Sequence, residues 1–91
     1  MDEFALIVLE RTLEIATEAL PHNLRAADCI DRIQRYIGRP PTEPAVANEK
    51  LREDVNELWF IAREERRFFL AARLRALLLE LSPDATKAGA A

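Results

Sequence analysis

Glycine is nearly missing from this chain, at 2 residues of 91. Sandwiches and barrels need turn residues every few positions, so this scarcity excludes them and favours long helices. Cysteine occurs once, as Cys29, which rules out a disulfide framework and makes a reducing cytoplasm the expected setting. Histidine and serine also occur once each, as His22 and Ser82; Ser82 lies beside the expected helix stop, and nothing resembles a Ser–His–Asp arrangement. No glycine-rich phosphate loop is present. No run of 18 apolar residues occurs, so no membrane span and no membrane partner are expected. The acidic start Met1-Asp2-Glu3 is unlike a signal peptide.

What is abundant is equally informative. Hydrophobic residues make up 49% of the chain, with 15 Ala and 13 Leu. That composition suits one folded domain and argues against general disorder. Arg outnumbers Lys by 11 to 2, which with the alanine content suggests GC-rich coding and a bacterial source.

Leu6, Leu9, Leu13, Ala16 and Leu20 step by three and four, predicting a first helix over about 3–20. Asp2 and Glu3 suit its start. Pro21 stops it at Leu20. Asn23 is a natural N-cap for a second helix over about 23–37, with Ala26, Ile30, Ile33 and Ile37 inward. Asp28–Arg32 and Asp31–Arg35 stand at i, i+4 with the acid first, the better orientation. Gly38 should follow as a left-handed cap. The breaker Arg39-Pro40-Pro41-Thr42-Glu43-Pro44 then separates a third helix over about 45–81, with Thr42 or Asn48 as its cap. Leu51, Val55, Leu58, Ala62, Phe69, Ala72, Ala76 and Leu79 keep helical phase along it. Ser82-Pro83 ends it.

The fold class is therefore all-α: two short antiparallel helices packed on one long C-terminal helix. A single domain spans 1–83, with a flexible tail over 84–91. The stretch from Asn48 to Leu81 alone would run about 51 Å at 1.5 Å per residue, too long for a compact domain of this size. It either bends near Glu64–Arg67 or stays straight under the cover of another chain. Its last turns are apolar nearly all round, which favours the straight helix and a homo-oligomer, most simply a dimer. Trp59, Phe68, Phe69, Leu70, Leu74, Leu77, Leu78 and Leu81 are the expected partner or oligomer interface.

Charge is segregated. Residues 1–21 sum to −4 and residues 58–81 to +2, so the first helix and the end of the third are natural neighbours. The Glu10, Glu14 and Glu18 row lacks the Glu-x-x-His pattern of a carboxylate metal bundle. His22 belongs in the turn after Pro21, and Cys29 packs as a small residue on the second helix. No catalytic residue, cofactor or metal is expected. The chain reads as a non-enzymatic interaction protein, an adaptor or regulator that self-associates and binds another protein through its long helix. The alternative is a DNA- or RNA-associated protein using Arg63, Arg66, Arg67, Arg73 and Arg75 with the interleaved aromatics. The net charge of −3 and the adjoining Glu64 and Glu65 weigh against it.

Overall fold

The computed structural model describes residues 3–39 and 44–81. All of its regular structure is helical: α1 (Glu3–Ala19), α2 (Leu24–Gly38), α3 (Pro44–Glu64) and α4 (Phe68–Leu81). The all-α class holds, with four helices in place of the three expected. Asp2, Thr42 and the tail over 84–91 lie outside the described residues.

α1 closes at Leu20, whose N–H donates to the Ala16 carbonyl at 2.9 Å. Pro21 and His22 then form the turn, both exposed. Asn23 caps α2 as its side chain predicts: its Oδ1 accepts from the Ala26 N–H at 3.0 Å. Gly38 departs from expectation. No glycine among the described residues has positive φ, and α2 ends through the Arg39 N–H on the Arg35 carbonyl at 2.8 Å. Asn48 lies one turn inside α3, and its Nδ2 donates to the Leu81 carbonyl at 3.3 Å. It ties the end of α4 to the start of α3, satisfying a carbonyl that the α4 terminus leaves open.

The long helix is broken. α3 stops at Glu64, and α4 begins three residues later. The Arg67 N–H reaches the Ala62 carbonyl at 2.8 Å, and the Arg66 N–H reaches Arg63 at 3.0 Å. This pair of bonds is a Schellman motif, which requires its penultimate residue to be left-handed. Arg66 takes that role with φ 60°, where glycine is the usual occupant. The break lets the chain fit its volume. A straight helix from Pro44 to Leu81 would need about 57 Å, whereas the longest molecular dimension is 40 Å.

The three-residue turn also shifts the hydrophobic phase. Up to Ala62 the expected stripe is buried: Leu51, Val55, Leu58 and Ala62 all face the core. Beyond the turn, Phe69, Ala72, Ala76 and Leu79 point outward. Leu70, Ala71, Leu74, Leu77 and Leu81 are buried in their place.

Short connections make sequential helices antiparallel neighbours, and α4 returns to pack on α1. The diagonal pairs, α1 with α3 and α2 with α4, stand apart across the core. That core gathers Leu9, Leu13 and Ala16 of α1 with Ile30 and Ile33 of α2, Leu58 and Ile61 of α3, and Leu74 of α4. Thr12, the one buried polar side chain among the described residues, donates to the Val8 carbonyl at 2.8 Å. No described helix is long and apolar enough to cross a membrane.

Candidate functional site: an arginine–aromatic face across α3 and α4

Trp59 lies half-buried on the side of α3 that meets α4. Arg63, one turn further along α3, places its guanidinium 4.9 Å from the Trp59 ring centroid. Arg75 reaches the same ring from α4 at 5.5 Å. Phe60 meets Trp59 edge to face at 4.9 Å and 65°. Phe60 remains 49% exposed, while Phe68 and Phe69 at the head of α4 are exposed by 64% and 70%. Each cation–π contact contributes about 0.5–1 kcal/mol at an exposed site. Two cations on one ring also repel each other. Among the described residues neither Arg63 nor Arg75 meets a carboxylate, and the same holds for Arg66, Arg67 and Arg73.

The hairpin divides the interface residues expected from sequence. Leu70, Leu74, Leu77 and Leu81 belong to the core of their own chain, and Leu78 packs half-buried against it. The turn aims this row at α1 and α3, so in the single chain these four leucines reach no partner. Trp59, Phe68 and Phe69 stay at or near the surface. The expected arginine cluster is divided too. Arg63 and Arg75 converge on Trp59. Arg73 lies over Phe69 at 5.8 Å, its Nε buried without a hydrogen-bond partner. Arg66 and Arg67 occupy the turn, both exposed. Phe60, which sequence reasoning left out of the interface, joins the cluster. Its signal was its position off the α3 stripe, where a large aromatic has no core to enter.

A second cluster joins α2 to α3. The Cys29 thiol, an Asp54 oxygen and a Glu57 oxygen lie within 4.8 Å of one another, a spacing that a metal could use. The Arg32 guanidinium already supplies the cation. Its Nε donates to Asp54 at 3.0 Å, and its Nη2 donates to Glu57 at 2.9 Å and to the Cys29 sulfur at 3.3 Å. The thiol itself donates to Glu57 at 3.1 Å. Burial pushes the Cys29 thiol up to about 12, helped by the hydrogen bond to Glu57 and that carboxylate's charge. A protonated thiol is a poor ligand and a poor nucleophile. The arrangement can clamp two helices together and has little else to offer chemically. It also corrects one expected pair. Asp31–Arg35 forms at 2.6 Å, but Arg32 turns from Asp28 to Asp54 and Glu57 across the helix interface.

An open groove of about 500 Å³ between α1 and α2 is lined by Glu10, Leu13, Glu14, Thr17, Glu18, Gln34 and Ile37. The acidic row Glu10, Glu14 and Glu18 borders this groove. α1 does pack on α4, as the charge segregation suggested, but no described ion pair joins them. The helix contact is made through apolar side chains. Comparison with protein-family models, curated proteins and solved structures gives no match.

Proposed function

We propose that this chain is a small, non-catalytic helical interaction protein that self-associates and captures an acidic, amphipathic segment of a partner protein on the α3/α4 face. One observation carries the reading. Arg63 and Arg75 converge on Trp59 without a described carboxylate, beside an exposed Phe60. An incoming carboxylate relieves the repulsion between the two guanidiniums and gains charge-assisted hydrogen bonds. Tryptophan and arginine are enriched among the anchors of protein interfaces. Phe60 and Phe68 supply apolar area for the partner's own hydrophobic side chains.

Nucleic acid fits this face less well. Two guanidiniums already lie over the Trp59 ring, which leaves only the smaller Phe60 and Phe68 for base stacking. Glu64 and Glu65 follow Arg63 directly in sequence, both exposed, and their charge disfavours phosphate.

Trp59 is the only tryptophan, so its fluorescence reports on this face directly. The test is a titration with an acidic amphipathic helical peptide, its Gln-substituted neutral analogue, and single-stranded and duplex oligonucleotides. The acidic peptide should shift the emission, and the neutral analogue should not. R63E/R75E should abolish the response, and Phe60→Ala should weaken it severalfold. Binding of oligonucleotide alone, with a steep salt dependence, would transfer the face to the nucleic-acid reading. Silence with every probe would refute both.

A further inference from the structure

The α3–α4 turn is built from residues that favour a straight helix. It contains no glycine and no proline. Arg66 sits in the left-handed region, disfavoured for any side chain with a Cβ. Arg67 accepts the first α4 hydrogen bond, from Ala71, and offers no side-chain acceptor to the free N–H groups of that end. It also places a cation at the positive end of the helix dipole. Arg63, Glu64, Glu65, Arg66 and Arg67 are all adequate helix formers, so only the packing of α4 against α1 and α3 holds the bend.

α4 carries two apolar faces. One, Leu70, Leu74, Leu77 and Leu81, fills the core of the hairpin form. The other, Phe69, Ala72, Ala76 and Leu79, is exposed. In a straight helix this second face continues the line of Leu51, Val55, Leu58 and Ala62. Straightening would carry α4 beyond its own bundle, where only another molecule could bury it.

We infer that α4 is an exchangeable arm: the turn at Glu65–Arg67 straightens, α3 and α4 become one helix, and each α4 packs on α1 and α3 of a second copy. This rests on, and gives a structural form to, the self-association proposed above. All packing inside each bundle is kept, and only the strained turn is lost. The charge order supports the same partner. A two-fold axis between residues 65 and 66 sets Glu65 opposite Arg66 of the second copy, and Arg66 opposite its Glu65. That makes two oppositely charged pairs at the crossing, since Glu64 and Arg67, one residue further out, turn to other faces of the helix. In the single chain Glu65, Arg66 and Arg67 form no described ion pair, and Glu64 has only an exposed one, with Arg25 at 3.5 Å.

The test combines light scattering with a distance measurement on the full chain in a Cys29→Ala background. Spin labels at exposed positions 49 and 80 flank the Asn48–Leu81 hydrogen bond, so they are close in the hairpin. In the straight helix they lie about 46 Å apart within one chain. Labelled chains are diluted in unlabelled ones and refolded at high concentration. The expected result is a dimer with the long separation. Arg66→Gly should weaken it by about tenfold per hinge, hence about a hundredfold, because glycine relieves the turn and disfavours the straight helix. E65K and R66E should each dimerise poorly alone and recover when mixed. A strict monomer up to about 1 mM, the weak end of specific association, would overturn the inference. A dimer that keeps the short separation, or one indifferent to Arg66→Gly and to charge reversal, would do the same. Peptide capture read at Trp59 is measured separately on the monomer, so failure of the exchange and failure of the binding face are distinguishable.

Discussion

Leu74→Ala tests the phase shift across the α3–α4 turn most directly. Leu74 is fully buried, whereas Leu79, five residues on, is 57% exposed. An unbroken helix following the Leu51–Ala62 stripe would reverse their roles. Truncating a fully enclosed leucine costs its transfer free energy and leaves a cavity, together about 3–4 kcal/mol. A 91-residue domain has roughly 5–14 kcal/mol of total stability, so this loss consumes a large share of it. Leu79→Ala removes surface already in water and should cost about 0.5 kcal/mol or less. Alanine is an excellent helix former, so neither change is confounded by propensity. Urea unfolding followed by circular dichroism, at a concentration where the chain is monomeric, provides the comparison. With a slope of about 1.5 kcal/mol per molar, Leu74→Ala should lower the midpoint by about 2 M and Leu79→Ala by a few tenths. Equal losses, or a larger loss at Leu79, would refute the placement of α4.

Four further outcomes follow from the same structure. Cys29 should react with iodoacetamide at pH 8 about a thousandfold more slowly than an ordinary thiol from its thiolate fraction alone, and burial slows it further. Its raised pKa means the folded chain holds that proton more tightly than the unfolded one. Wild type should therefore lose stability relative to Cys29→Ala as pH rises above about 9 towards 12, and parallel curves would contradict the assignment. Arg32→Ala leaves Asp54 and Glu57 facing each other without their cation; an expected loss of about 1–2 kcal/mol, smaller in high salt, is measurable by calorimetry. Asn23→Ala removes the α2 cap and should cost about 1 kcal/mol, whereas Asn23→Asp should not.

Much of the scaffold was legible because its signals are local. Pro21 and the Asn23 cap act on neighbouring residues, and the α1 and α2 stripes follow directly from helical spacing. The break after Glu64 was half legible: the excess length of a straight helix pointed to a bend near Glu64–Arg67, but the apolar last turns favoured the straight form. A left-handed arginine itself leaves no compositional mark. Gly38 invited a left-handed cap and does not supply one, so the glycine rule failed in both directions within one chain. With the straight form preferred, the stripe was carried past the turn in the wrong phase, exchanging Leu79 for Leu77 and Phe69 for Leu70. The binding face was half legible. Trp59 and Arg63 stand four residues apart on one helix, a pairing that spacing reveals. Arg75 joins them only because the chain turns back, as does Arg32 when it leaves Asp28 for Asp54.

The ring-like order of helix contacts has a kinetic consequence. α1 with α2, α2 with α3 and α3 with α4 are neighbours along the chain, so three of the four interfaces close over short loops. Such local topologies fold in microseconds to milliseconds. Only the return of α4 to α1 joins distant segments. That closure carries the largest loop-closing entropy and should form last. Until it does, newly folded molecules expose the apolar row of α4 beside an unfilled α1, the state in which an encounter between two copies decides which α1 each arm finds.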